Sequence, residues 1–457
     1  MDNNHLLGKV KQLYAMIGDR GLYVNTNHDV FLGPRKQIVA GTAGNRQFTL
    51  LEKGGQAYAS PLLLATLTSL LKHGTMLTTG APGIGKTTGA EFAGHFFSGV
   101  PLEDILQATI QGHPQQTEEK MVARYHTGKL VKEGEEEVLP RKFLQCQVKI
   151  VDEFNRLDPD KISIILRLLD TGTAVYGDKL LEATPGPLFA TANYADSGTF
   201  ALPPPALDRF DVAAVVTSPP PWDMESICAR PDEKLNGSLK KLLEIPEESR
   251  LNPTDYLEIR RQITALPFEE NLGTYLNFAL AVIRFSEEAS NDVARMTKGN
   301  LLKQPENPRF ADKPSAYTNN ELSVRTARAL QRYARALAWF SGADKVSEEH
   351  LRTIFPYATW HKLEPSSTAI QRMPTGKIEN DRIGFAKALL EVINTEWTAV
   401  QAEPALKYYR AVLQAMSEGK HTEAHVKNAI NKLCQWDYPY ALCLAKHLES
   451  EYNRRQQ

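Results

Sequence analysis

Apolar positions change their spacing along the chain. From about Leu51 to Thr217, short apolar runs alternate with helical stretches. This predicts α/β layering with a parallel sheet, because an apolar run buried on both faces needs helices on either side. The strand candidates are Thr75–Thr79, Ile105–Ile110, Gln147–Val151, Leu188–Ala192 and Ala213–Thr217. Beyond Pro219 the strand signals stop. "DYLEIRRQITALPF", "TYLNFALAVIRFSEEA" and "RTARALQRYARALAWF" carry the three-to-four spacing of helices. The polar, proline-containing segment Lys298 to Asn320 predicts a loop. A second break, "LEPSSTAIQRMPTGKIEND", precedes a last helical block from about Arg382 to Asn453, in which Ile383, Leu390, Ile393 and Trp397 form a core stripe. Residues 1–50 have mixed character and weak periodicity. The expected division is therefore an extension (1–50), an α/β core (51–218), a helical region (219–366) and a further helical region (367–457).

Composition narrows the class. A chain of 457 residues suggests roughly three domains. At 42% hydrophobic and 23% charged residues it reads as an ordinary soluble protein. A formal net charge of −1 gives no global attraction to nucleic acid or anionic membrane, so neither is the expected partner. "MDNNHLLGKVKQ" is too polar for a signal peptide, and the apolar run near Pro61 to Leu71 is too short to span a bilayer. The expected location is the cytoplasm. The four cysteines, Cys146, Cys228, Cys434 and Cys443, form no C-x-x-C pair and read as reduced thiols, mostly in the core.

The chemistry is concentrated in four stretches. "LTTGAPGIGKTTGA" fills the pattern G-x-x-x-x-G-K-[ST] with Gly80, Gly85, Lys86 and Thr87. Across Gly80, Ala81, Pro82, Gly83, Ile84, Gly85, Lys86, Thr87 and Thr88, such a loop turns its N–H groups toward a phosphate at the start of a helix. Lys86 would reach the β- and γ-phosphates of ATP, and Thr87 would hold Mg²⁺. "VKIVDEFNRLDP" is a buried-strand pattern ending in two carboxylates. Asp152 would join Thr87 in holding Mg²⁺, and Glu153 would orient and deprotonate the attacking water. "GPLFATANYAD" ends a strand at Asn193, whose amide can bond both the γ-phosphate and that water. "LPPPALDRFDV" starts a short helix with prolines and places Arg209 at its end. Arg209 can pair within its own chain or reach a neighbouring subunit's γ-phosphate.

Together these residues resemble an AAA+ ATPase, and in detail its MoxR branch. The stretch "VDEFNRLDPDKISIILRLLDTGTAVYGDKLLEATPGPLFATANYADSGTFALPPPALDRFD" is similar to that branch throughout. "SVRTARALQRYARALAWFSGADKVSEEHLRTIFPYATWHKL" resembles the end of its lid. The resemblance runs from about Leu51 to Leu363. It implies an AAA+ P-loop core with a parallel sheet, an all-helical lid and an extra C-terminal helical region. Lys86 and Thr87 match Walker A, Asp152 and Glu153 match Walker B, Asn193 matches sensor 1, and Arg209 matches the arginine finger. Arg325 matches the sensor 2 arginine, although Val324 stands where the family has proline, and Arg328 competes for the role. Gly55-Gln56 matches a pair that lies near the adenine.

Two hairpins also match the family. "ARYHTGKLV", Ala123 to Val131, has a Thr127-Gly128 turn signal, and "TAVYGDKLLEA", Thr173 to Ala183, has Gly177-Asp178. In related rings they face the pore, where Tyr125, His126 and Tyr176 would grip a substrate; ordinary solvated hairpins are the alternative. "HTEAH" spaces His421 and His425 like a zinc pair, but Thr422 reads as an N-cap, which leaves His421 outside the helix. Glu135 to Glu137 reads as a solvated loop. The resemblance implies a hexameric ring that hydrolyses ATP to remodel or mature a protein partner, with a von Willebrand factor A-domain protein among its partners. Metal-chelatase, gas-vesicle and nucleic-acid-dependent relatives are alternatives within the family. A nucleotide-gated assembly scaffold is the alternative of another class. The segment after about Glu364 is expected to carry partner choice.

Overall fold

The computed structural model describes residues 3–456, apart from 24, 26, 35, 36, 45, 52–54, 135, 194–199, 229–241, 285–312, 374–380, 400, 401, 437 and 438. The chain forms two compact units, Met1–Pro267 with Ala329–Ile354, and Phe268–Arg328 with Phe355–Gln457.

In the first unit the chain opens with helix α1 (Asn3–Asp19). Leu6, Val10, Leu13 and Ile17 are buried along one face at the spacing of a helical stripe. This is a correction to the weak periodicity expected of residues 1–50. Lys9 pairs with Asp255 at 3.0 Å and anchors the helix. Val30–Leu32 then pairs antiparallel with Gln56–Tyr58, and Gln37–Ala43 with Arg46–Leu51.

Helix α2 (Ser60–Leu70) is buried along almost its whole length. It leads into a five-stranded parallel sheet of β1 (Thr75–Gly80), β2 (Ile110–Gln111), β3 (Lys149–Asp152), β4 (Leu188–Asn193) and β5 (Val212–Val215). The spatial order is β5-β1-β4-β3-β2. Every residue of β4 is buried, as expected for a central parallel strand with both faces covered. Helices α3 (Lys86–Ser98), α4 (Leu102–Ala108) and α5 (Pro159–Thr171) complete this layer pattern. Four of the five expected strands lie within two residues of their expected bounds. The fifth, Ile105–Ile110, is mostly α4: Glu103 and Asp104 favour a helix N-terminus, and Ile105 and Ala108 are buried one turn apart. Only Ile110–Gln111 is strand.

The hairpin Thr173–Tyr176 with Lys179–Glu182 forms around Gly177-Asp178 as expected. The other expected hairpin is corrected. Ala123–Tyr125 pairs instead with Val138–Pro140, and Thr127–Glu133 is helical. His126 caps that helix, its ring Nδ1 accepting the Lys129 N–H at 3.1 Å, so Thr127-Gly128 begins a helix rather than a turn. Glu137 pairs with Lys129 at 2.9 Å; Glu135 lies outside the described residues.

The unit continues with helix α6 (Pro253–Ala265), opened by a capping box of Asn252 and Asp255. Residues 329–354 add most of α8 (Val324–Ser341) and the first turns of α9 (Glu348–Thr359). There Tyr333 is fully buried with its hydroxyl 2.8 Å from that of Thr68, and Arg332 pairs with Asp211.

The second unit is helical: α7 (Leu272–Val282), α10 (Arg382–Ala399), α11 (Ala402–Ser417), α12 (Glu423–Cys434) and α13 (Pro439–Gln456). The rings of Tyr275 and Phe278 pack edge-on against Trp397 at 5.5 and 5.0 Å. Leu390 and Ile393 are buried, while Ile383 is half-buried. Val412, Met416, Val426, Ala429, Leu433, Ala445 and Leu448 form a core shared by the last three helices. Thr422 is the N-cap of α12, so His421 precedes the helix. Of the expected loop Lys298–Asn320, residues 298–312 lie outside those described, and Pro314–Tyr317 is a single 3₁₀ turn. Only Cys146 is buried; Cys228 and Cys434 are exposed, against the expectation of core thiols. Among the described residues no helix is long and apolar enough to cross a membrane.

Candidate functional site

The site is built at the C-terminal edge of the sheet, where open parallel sheets bind ligands. The loop after β1 turns through Gly83 and Gly85, both left-handed at φ 75° and 81°. Gly80 cannot carry a side chain without a clash, since a Cβ there would lie 2.5 Å from the Val216 carbonyl oxygen. Helix α3 starts at Lys86 and directs its free N–H groups back toward the loop. Lys86 is 8% exposed. Its ammonium donates to the carbonyls of Gly80 (3.0 Å) and Ala81 (2.6 Å) and to the Asn193 side-chain oxygen (2.8 Å). Burial pushes its pKa down, opposed by the carboxylates of Asp152 and Glu153.

Strand pairing sets the other groups beside this lysine. Asn193 ends β4 directly opposite Gly80, and Gln111 ends β2 opposite Asp152. The Asn193 amide bridges two charges: its oxygen accepts from Lys86, and its nitrogen donates to Glu153 at 2.9 Å. Asp152 receives the Thr87 hydroxyl on Oδ1, together with that of Thr191 at 2.5 Å, and the Gln111 amide on Oδ2 at 2.8 Å. Glu153 is left-handed at φ 51°, one of two such non-glycine residues described. Its N–H donates to the Thr191 hydroxyl at 2.9 Å, and Arg156 lies 3.4 Å from its carboxylate. Left-handed backbone costs a residue with a Cβ about 1–2 kcal/mol. Here it turns the chain sharply after β3, so that successive carboxylates meet different partners.

The structure thus gathers Lys86, Thr87, Asp152, Glu153 and Asn193 into one network. Sequence reasoning missed four residues that hold it: Gln111, Thr191, Arg156 and Asn155, whose side chain bonds the Asn193 backbone at 3.1 and 3.3 Å. Thr191, Asn155 and Arg156 lie inside the quoted motifs, but only the fold brings Thr191 to Asp152 and Asn155 to Asn193. Arg209 is engaged within its own chain, pairing with Asp170 at 2.8 Å and donating to the Pro205 carbonyl at 2.7 Å. Arg325 and Arg328 are exposed on the first turns of α8 and fall in the second unit.

Next to the loop lies a cavity of about 860 Å³, lined by Gly83–Lys86 on one side and by Leu22, Tyr23, Leu62 and Val216 on others. Gly55 and Gln56 do not line it; both are exposed, and Gln56 belongs to an antiparallel pair. At the hairpins, the rings of Tyr125 and Tyr176 meet in a tilted contact, 5.2 Å between centroids. The Thr87 and Asp152 oxygens form a hard donor set that fits Mg²⁺, which commonly takes one or two protein ligands and fills its shell with phosphate and water. Among the described residues there is no cluster of three His, Cys, Asp or Glu side chains able to hold a metal by itself.

Comparison with known proteins agrees with this architecture. Residues 75–210 match the AAA domain (dynein-related subfamily), and residues 316–381 match the AAA lid domain. The fold is similar to that of a candidate ATPase from Cytophaga hutchinsonii, 18% identical over 84% of this chain and 96% of that chain, with a TM-score of 0.53. A full-length MCM homolog from Methanopyrus kandleri aligns at 16% identity over 64% of this chain and 52% of that chain, with a TM-score of 0.37, too low to relate the two folds. No curated protein matches the chain.

Proposed function

From a chain that carries an AAA domain followed by an AAA lid domain, we propose an ATP-hydrolysing motor of MoxR type that assembles as a hexameric ring and remodels or matures a protein partner. The observation that carries the reading is the continuous path from the Lys86 ammonium through the Asn193 amide to the Glu153 carboxylate. A plain phosphate-binding loop needs no such path. ATP binds with its phosphates on the loop N–H groups and Lys86, which exchanges loop carbonyls for phosphate oxygens. Mg²⁺, when held by Thr87 and Asp152, neutralises phosphate charge. Glu153, held by Asn193, orients a water and takes its proton as the water oxygen bonds the γ-phosphorus. The bond to the bridging oxygen breaks, and ADP leaves with the electron pair. Asn193 thus links the residue that senses the γ-phosphate to the base. The MoxR resemblance supports a von Willebrand factor A-domain partner. Tyr125 and Tyr176, whose rings touch, are the groups proposed to contact a substrate in the pore.

Glu153→Gln tests the assignment. It keeps the side chain's size but removes the base, so hydrolysis should fall about 10²–10⁴-fold while ATP still binds. Phosphate release and calorimetric affinity, measured on the same preparation, separate the two effects. Turnover close to wild type would remove Glu153 from the mechanism.

A further inference from the structure

The sheet ladder stops short beside the base. β3 and β4 pair as far as Val151 and Ala190; β3 then ends at Asp152, while β4 runs on to Asn193. The left-handed Glu153 turns the chain away at that point. Asn193 is buried, so its peptide N–H and C=O need partners. On the β3 side the strand that would supply them has ended. The Asn155 side chain takes its place. Its oxygen accepts the Asn193 N–H at 3.3 Å, and its nitrogen donates to the Asn193 carbonyl at 3.1 Å. An amide side chain carries the same donor and acceptor as a peptide, so Asn155 adds one rung to the ladder. The amide rests on a fixed platform. Asn155 is itself buried, and its own carbonyl accepts the Phe200 N–H at 2.7 Å. The preceding Phe154 is fully buried and meets the Phe210 ring edge-on, 5.5 Å between centroids.

We infer that Asn155 is a positioning residue for hydrolysis: by holding the Asn193 peptide, it sets where the Asn193 side chain stands between Lys86 and Glu153. This rests on the role proposed above for Asn193 and Glu153. The Asn193 side chain spans two charged groups at 2.8 and 2.9 Å, so a small shift of its backbone breaks one bond or the other. Asn155 makes no contact of its own with Lys86, and it acts on the base only through Asn193 and the turn. Its removal therefore affects the rate rather than the binding of a nucleotide that lacks the γ-phosphate.

The test is a double-mutant cycle on the full chain, with kcat for ATP and calorimetric ADP affinity measured for each protein. Asn155→Ala should lower kcat about 10- to 100-fold, the scale set by a slightly misplaced catalytic group, and leave ADP affinity unchanged. Asn155→Ser, whose single oxygen is too short to span both bonds, should behave alike and guards against one poorly folded variant. Asn193→Ala removes the amide being positioned. Adding Asn155→Ala to it should cost no more than about twofold, because the two residues act as one unit. Wild-type kcat in Asn155→Ala, a further loss in the double variant as large as in the single one, or weaker ADP binding in both Asn155 variants would each overturn the inference. If Asn193→Ala itself turns over as the wild type does, the proposed role of Asn193 fails, and the inference with it. If Asn193→Ala is slow and the cycle is additive, only the inference fails.

Discussion

Glu91 lies one helical turn beyond Thr87 on α3, partly buried. Burial first, and the Asp152 carboxylate second, push its pKa up from 4.5 to about 7. The sign of the consequence is fixed. Below pH 4.5 the group is protonated in folded and unfolded chains alike. Between 4.5 and about 7 the unfolded chain releases its proton while the folded one keeps it, so stability falls as pH rises and then levels off. Glu91→Gln removes this penalty. Its melting temperature relative to wild type should climb from pH 4.5 to 7 and then stay constant; a difference that does not vary with pH would show an unperturbed carboxyl. Single residues were legible where a motif names them, as with Lys86, Asp152, Glu153 and Asn193. Gln111 was not, because its role comes from pairing with Asp152 across forty residues of sequence and has no local signature.

At the scale of elements, α1 is the least conspicuous in sequence and among the most consequential. Its stripe of Leu6, Val10, Leu13 and Ile17 is interrupted by Gly8 and polar neighbours, which hides the helical period, while the α/β core declares itself through long apolar strands. The Thr127-Gly128 pair shows the opposite failure: a turn signal overridden by a cap on His126. Leu13 is fully buried. Leu13→Ala should cost about 2–5 kcal/mol through lost burial and the cavity left behind. Because α1 positions the cavity wall at Leu22 and Tyr23, ATP affinity should fall as well. Denaturant midpoints for the ligand-free protein and ATP titrations of its folded fraction check both; a loss below about 0.5 kcal/mol would mean that α1 is not anchored through this face.

For the whole molecule, the proposed ring predicts that each ATP site is completed by the neighbouring copy. The Arg209–Asp170 pair is partly exposed, at 20% and 27%. Such pairs contribute about 0–1 kcal/mol, so Arg209 can be released to a neighbouring phosphate at little cost. Arg209→Ala should lose about 10³–10⁵ in hydrolysis while keeping ATP affinity. Mixed with Lys86→Ala, itself inactive, it should recover part of the activity, because some interfaces then join an intact Lys86 to an intact Arg209. No recovery from co-assembled proteins at any ratio would mean that Arg209 serves its own subunit or that every site must be intact. Chain order carries one more consequence. Lys9 finds Asp255 across a separation of 246 residues, so α1 is synthesised long before the surface it packs on. At about 5–20 residues per second, its apolar stripe leaves the ribosome roughly 12–50 seconds ahead of its partner. In the nascent chain that stripe is a sticky segment, and a slowed ribosome between the two would prolong its exposure.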